Sequence, residues 1–213
     1  ILEKLGIDIL TYSKSIGNVE IDYNKFNKEE IKKNPVYMPD SDAAKATEKL
    51  LSEKMAEMDS VGGIIECVVA GMPTGVGEPV FDKLDANLAK AIMSIGAVKG
   101  IEIGDGFEVA KMSGSTDNDG FSIENGVISK TSNHAGGILG GMSDGSPIVI
   151  RAAVKPTPSI FRPQQTISRN KEPMELTIKG RHDPLIVPRA VVVVEAMCAL
   201  TIADSLLLNM HFF

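Results

Sequence analysis

The run VGGIIECVVAGMPTGVGEPVFDKLDANLAKAIMSIGAVKGIEI, residues 61–103, carries the pattern that decides the fold class. Val61 to Val69 is a short apolar run opened by glycines, which reads as a buried strand. Gly71-Met72-Pro73-Thr74-Gly75-Val76-Gly77-Glu78-Pro79 follows as a turn-rich loop. Leu84, Leu88, Ala91, Ile92 and Ile95 then recur at i, i+4, i+7, i+8 and i+11, so they share one face of an amphipathic helix. Val98–Ile103 returns to a strand pattern.

Upstream, Ile1 to Leu5 read as the last turn of a helix stopped by Gly6, and Ile7, Ile9, Thr11 and Ser13 alternate as in a strand. Residues 18–39 are polar and read as a surface loop. Asp40-Ser41 caps a helix that runs to about Met58, with Leu51, Met55 and Met58 on its apolar side. Downstream, strands are expected near 126–129, 148–154 and 174–179, the last two joined by a long loop. A helix opens at about Pro188, where proline suits the first turn. The elements do not repeat as βαβ units, so the expectation is an α+β fold with mainly antiparallel sheet, in a single domain over residues 1–213.

Composition narrows the function. Only 5% of residues are aromatic and none is Trp, which disfavours base-stacking platforms and aromatic carbohydrate sites. Cys67 and Cys198 each lie in an apolar run and read as buried free thiols of a reducing compartment. The start, Ile1-Leu2-Glu3-Lys4, turns polar at once, unlike a signal peptide. The long apolar stretch Ala190 to Leu208 contains Glu195 and Asp204, and reads as a core helix rather than a membrane span. The expected setting is cytoplasmic. Net charge is −6, yet residues 146–190 hold eight Lys/Arg against three acids. A basic island in an acidic chain argues against nucleic acid, which wants a broad positive face, and suits a small anion in a local pocket.

Two glycine patterns fail as nucleotide cradles. Gly75-Val76-Gly77 and Gly104-Asp105-Gly106 have Val80 and Val109 where a dinucleotide fingerprint needs its third glycine. There is no Walker-type Gly-Lys-Ser/Thr, no CxxC and no HExxH, so no metal site is expected. Ser132 to Gly145 places five glycines in ten residues, more than a hairpin needs, and reads as a loop that brings backbone close to a ligand. Lys155-Pro156-Thr157-Pro158-Ser159 offers a cation and two hydroxyls on a stiff segment, suited to phosphate. A plain rigid proline loop reads equally well. Gly180-Arg181-His182-Asp183-Pro184 is suited to holding an anion and moving a proton, or to capping the helix that follows. In an extended segment Arg181 and Asp183 face the same way, and arginine beside aspartate keeps the carboxylate ionised.

Taken together, these segments resemble those of chorismate synthases. So do Gly71-Met72-Pro73 through Asp85, Ala97-Val98-Lys99-Gly100, and Glu102-Ile103-Gly104-Asp105-Gly106-Phe107. The most specific piece is Gly180-Arg181-His182-Asp183-Pro184 joined to Pro188-Arg189-Ala190 and Glu195-Ala196-Met197. The resemblance implies a β-α-β sandwich with helices packed between antiparallel sheets, assembled as a homotetramer. It implies a lyase that uses reduced FMN to eliminate phosphate from 5-enolpyruvylshikimate 3-phosphate, giving chorismate. By the same resemblance, FMN contacts fall on Gly96, Ala97, Gly140, Lys155, Pro156, Thr157, Pro158, Ser159 and Arg181. Asp183 matches the aspartate that assists proton removal near the flavin.

The chain departs from the family pattern at several points. Gly96 stands where the family carries Asn, Leu185 replaces a small residue, and Val192 replaces proline. The family's opening Gly-Glu-Ser-His-Gly segment, its second histidine, its substrate arginines and an Arg-Ser-Ser flavin element have no counterpart. The expectation is therefore a domain truncated at its N-terminus, inactive on its own. A non-catalytic remnant that keeps the fold core and oligomer contacts is the alternative.

Overall fold

The computed structural model describes residues 1–124, 126–180 and 183–210. The strands and helices are, in chain order, β1 (Asp8–Ile16), β2 (Val19–Glu20), α1 (Ser41–Ala56), β3 (Gly63–Ala70), α2 (Leu84–Met93) and β4 (Val98–Ile103). Then come α3 (Gly114–Asp117), β5 (Phe121–Glu124), β6 (Val127–Lys130), β7 (Ile138–Leu139), β8 (Met142–Ser143) and β9 (Ile148–Val154). β10 (Gln164–Ile167), β11 (Pro173–Leu176) and α4 (Val187–Asn209) close the order. One sheet runs β2-β1-β3-β9-β4, and β5–β6, β7–β8 and β10–β11 are antiparallel hairpins. The α+β expectation holds.

The residues fall into two compact units. The first comprises Ile1–Thr11, Ile65–Ala153 and the chain from Val191. Its core is built from the apolar positions that the sequence pattern marks: Ile65, Cys67 and Val69 of β3, Leu84, Leu88 and Ile92 of α2, and Ile148, Ile150 and Ala152 of β9 are all buried. Val191, Val194, Cys198, Ile202 and Ser205 give α4 one buried stripe at helical spacing, while Val192, Leu200 and Leu207 on its other faces are exposed. By length and composition alone this helix could cross a membrane; the stripe is what serves the core. Both cysteines are free and buried, as expected.

The second unit comprises Tyr12–Ile64 and Val154–Ala190. Here residues 18–39 are not a plain surface loop. Ile31, Val36 and Met38 are buried. Asn34 staples the segment: its Nδ2 donates to the Glu30 and Met38 carbonyls at 2.8 Å each, and its Oδ1 accepts from the Val36 and Met38 amides. The apolar side of α1 also differs. Ala43, Ala44 and Thr47 are buried, whereas Met55 and Met58 are more than half exposed. Small residues let the helix approach its neighbours closely, and the methionines are left free. The expected long loop after β9 contains β10, which pairs with β11 in a hairpin.

Asp40 is the N-cap of α1, as expected. Its Oδ1 accepts from the Asp42 and Ala43 amides and its Oδ2 from the Asp22 amide, tying the helix start to the 18–39 segment. Burial opposes the charge, but these three donors outweigh it and hold the carboxyl below its ordinary range. The stabilisation is therefore present above the unfolded carboxylate pKa and is lost as pH falls through the depressed folded one. Asp40→Ala is expected to cost about 1–2 kcal/mol at neutral pH, with the deficit shrinking in acid. Urea unfolding at pH 7 and pH 3 checks both parts, and a deficit that is the same at both would contradict the charge argument.

Candidate functional site

Within the first unit, the glycine-rich stretch folds as the β7–β8 hairpin. Its two turn residues, Gly140 and Gly141, have φ of 59° and 89°, the left-handed pair that a tight type I′ turn requires. Gly141 is enclosed: a Cβ there would lie 2.5 Å from the Glu78 carbonyl oxygen. Its own carbonyl accepts from the Leu84 amide at 2.7 Å, at the start of α2, where Lys83 offers no side-chain cap. Gly140 faces open space instead, with no atom within 4 Å of a Cβ position. Ser143 fastens the 71–79 loop beneath the hairpin. Its Oγ donates to the Pro73 carbonyl and accepts from the Val76 amide, and its backbone bonds Gly75 and Val76.

The base of this loop is held by a buried ion cluster. Lys130 Nζ lies 3.0 Å from Asp119 and 2.8 Å from Asp144, and none of the three side chains is more than 7% exposed. Burial works against both carboxylates, yet donors from Ser132, Ala135, His134 and Lys130 hold Asp119 far below the ordinary range, and Lys130 and Ser146 hold Asp144 below it. Lys130 is raised against its own desolvation by the same two acids. Nearby, His134 Nδ1 sits 2.6 Å from Asp105, which raises the imidazole pKa.

Gly96 and Ala97 lie in the turn between α2 and β4. Ala97 adopts φ 70°, and a Cβ at position 96 would meet nothing within 4 Å. No neighbour among the described residues therefore demands glycine at position 96.

In the second unit, the Lys155–Ser159 segment follows β9 and lies against backbone. A Cβ on Gly62 would come within 2.3 Å of the Val154 carbonyl oxygen and 3.0 Å of Pro156. Ser60 Oγ donates to the Thr157 carbonyl at 2.7 Å, and the Val61 amide bonds the Pro184 carbonyl. These bonds bring the segment and Asp183 together: Ser159, Asp183 and Pro184 line one pocket of about 120 Å³ with Met55, Met58, Asp59, Ser60, Ile160 and Phe161. The Asp183 carboxylate makes both of its hydrogen bonds to Arg189, at 2.7 and 3.3 Å. That arginine lies six residues on in sequence, and among the described residues no capping bond from the Asp183 side chain to backbone accompanies it. Arg181 and His182 lie outside the described residues.

Among the described residues, three of the island's eight cations, Arg151, Arg162 and Arg189, pair with the protein's own acids. Arg151 bonds Glu66 at 2.7 Å and the Gly104 carbonyl, and approaches Glu102 at 3.5 Å. Arg162 pairs with Asp59. Lys155 is exposed and makes no ion pair among the described residues. Thr157 Oγ1 is buried without a hydrogen-bond partner. A free cation, an orphaned hydroxyl and two prolines fit a phosphate, and the apolar pocket edge fits an organic ring. These residues accordingly suit FMN. Sequence reasoning missed Met55, Met58 and Ser60. The two methionines showed the i, i+3 spacing of a core stripe, and Ser60 carried no signal at all.

The fold is α+β, with an exposed glycine turn in the first unit and, in the second, an exposed lysine that makes no ion pair among the described residues. The family model for chorismate synthase matches residues 1–207. The chain is 60% identical over 209 residues to the chorismate synthase of Agathobacter rectalis, covering 98% of this chain and 57% of that relative. It is 60% identical over 211 residues to the chorismate synthase of Lachnoclostridium phytofermentans, covering 99% and 58%. A crystal structure of chorismate synthase matches with a TM-score of 0.80 at 30% identity, over 98% of this chain and 59% of that one. The chain belongs to the chorismate synthase family, and it spans a little over half the length of the curated relatives it matches.

The ion cluster predicts a large stability effect. Lys130→Met leaves two buried carboxylates facing each other and is expected to cost about 3–5 kcal/mol in chemical unfolding at pH 7. A loss below 1 kcal/mol would show that the cluster is an incidental contact.

Proposed function

We propose that a protein of full family length carrying this sequence performs the family's reaction: reduced-FMN-dependent 1,4-elimination of phosphate from 5-enolpyruvylshikimate 3-phosphate to give chorismate. The observation that carries the reading is the meeting of Ser159 and Asp183 in one pocket, with the Lys155 ammonium and the Thr157 hydroxyl of the Ser159 segment lacking partners among the described residues. When bound, reduced FMN supplies transient electron density to the allylic system. Lys155, Thr157 and Ser159 hold anionic oxygen, and Pro156 and Pro158 keep them in register at low entropic cost. The resemblance assigns flavin contacts to Gly96, Ala97, Gly140 and Arg181 as well. As the C–O bond to phosphate breaks, the ring proton is taken with the help of Asp183, which Arg189 orients. A homotetramer and a cytoplasmic setting belong to the same reading. The exposed Phe121, Ile123 and Ile128 of the β5–β6 hairpin support assembly.

The two histidines that the resemblance assigns to proton donation have no counterpart among His134, His182 and His211. The 213-residue chain by itself is expected to show no turnover with reduced FMN and substrate, and measurable chorismate formation would overturn that expectation.

In a chorismate synthase of full family length carrying this sequence, Lys155→Ala should weaken FMN binding by about 1.5–3 kcal/mol, the value of a charge-assisted hydrogen bond. Arg151→Ala should affect FMN less and stability more, since Arg151 neutralises the buried Glu66. Equal losses of FMN affinity would indicate diffuse electrostatics instead of a specific grip.

Asp183→Asn in the same protein should lower kcat by about 10²–10⁴, the range of a general base. FMN affinity should stay within a few-fold, because the amide keeps the shape and one oxygen for Arg189. An unchanged kcat would leave Asp183 as no more than a partner for Arg189.

A further inference from the structure

We propose that Asp119 is a positioning residue that sets the Gly140 turn against its ligand. The proposal rests on the reading of Gly140 as a flavin contact. Asp119 lies on the connection between α3 and β5, outside every segment with a recognised ligand pattern. Its Oδ1 accepts from Ser132 Oγ at 2.7 Å and from the His134 amide at 2.8 Å. Its Oδ2 accepts from the Ala135 amide at 3.0 Å and from Lys130 Nζ at 3.0 Å. One carboxylate thus gathers the first residues of the glycine-rich stretch onto the end of β6.

The far end is tied to the same lysine. Asp144 takes Lys130 at 2.8 Å and the Ser146 amide at 2.8 Å, and its own amide bonds the Gly137 carbonyl. Residues 135–144, with Gly140 at the exposed turn, are therefore clamped at both ends by one buried cation between two carboxylates. Glycines make such a loop costly to order, because each loses more backbone freedom than any other residue. Without the clamp the turn samples many conformations, and a ligand that needs one of them binds more weakly by the fraction populated.

The test uses a chorismate synthase of full family length carrying this sequence, titrated with FMN and followed by ligand fluorescence, with hydrogen exchange of the 132–146 amides as a second readout. Asp119→Asn removes the charge while keeping one acceptor. It should weaken FMN at least about 10-fold, the value of a lost hydrogen bond to a charged group. It should also speed exchange at His134, Ala135 and Gly137, while amides of α2 and β9 stay protected. Ser132→Ala removes one donor and leaves the ion cluster whole. It should weaken FMN about 3- to 10-fold, and it decides the matter should Asp119→Asn not fold. Lys155→Ala separates the two readings. If Lys155→Ala weakens FMN while a folded Asp119→Asn or Ser132→Ala protein, with its loop exchange raised, keeps FMN within 2-fold of the parent, Asp119 is structural only and the proposal fails. If none of the three changes FMN affinity, the flavin reading fails and takes this one with it.

Discussion

Lys130 is buried between Asp119 and Asp144, and the glycine-rich face of the first unit depends on that arrangement. A lone ammonium in such a place would carry a desolvation cost of several kcal/mol, and so would either carboxylate alone. Together they are acceptable only because their remaining lone pairs are filled, by Ser132, by the His134 and Ala135 amides, and by the Ser146 amide. The cluster therefore does more than neutralise charge. It brings three separated stretches of backbone, around Asp119, Lys130–Ala135 and Asp144–Ser146, together at one point, and so holds both ends of the segment that carries the Gly140–Gly141 turn.

Close backbone approach reinforces that constraint. A Cβ on Gly136 would fall 2.2 Å from the Gly104 nitrogen, and one on Gly104 would fall 2.0 Å from the His134 oxygen. The two loops are in contact main chain to main chain, with no room for side chains between them. Gly104-Asp105-Gly106 failed as a nucleotide fingerprint, and the contact explains one of its glycines physically: Gly104 lets one loop lie against another.

Charge behaves differently in the two units. The basic island invited the view that its cations act together on an anion. Arg151 neutralises the buried Glu66, Arg162 pairs with Asp59 and Arg189 with Asp183, so these cations are committed to the protein's own acids. Lys155 stands exposed two residues before Thr157, whose buried hydroxyl has no partner among the described residues, on a segment made stiff by two prolines. Asp183, in turn, is oriented by a bidentate arginine and lines the pocket with Ser159.

How much of this was legible in the sequence follows from the range of each interaction. The strands, the α2 face of Leu84, Leu88 and Ile92, the Asp40 cap and the glycine-rich turn are set by neighbours within a few residues, and local pattern exposes them. The residues Ser159 and Asp183 were also nameable, since their motifs are contiguous. The Arg189 partner of Asp183, the exposure of Met55 and Met58, the Asn34 staple and the strand β10 were not. Each depends on which surface a segment meets, and periodicity cannot tell a face that finds a neighbour from one that does not. The Lys130 cluster is the plainest case. Its members are 11 and 14 residues apart in chain order, at no recognisable spacing, and only the tertiary fold removes the water that makes their pairing obligatory.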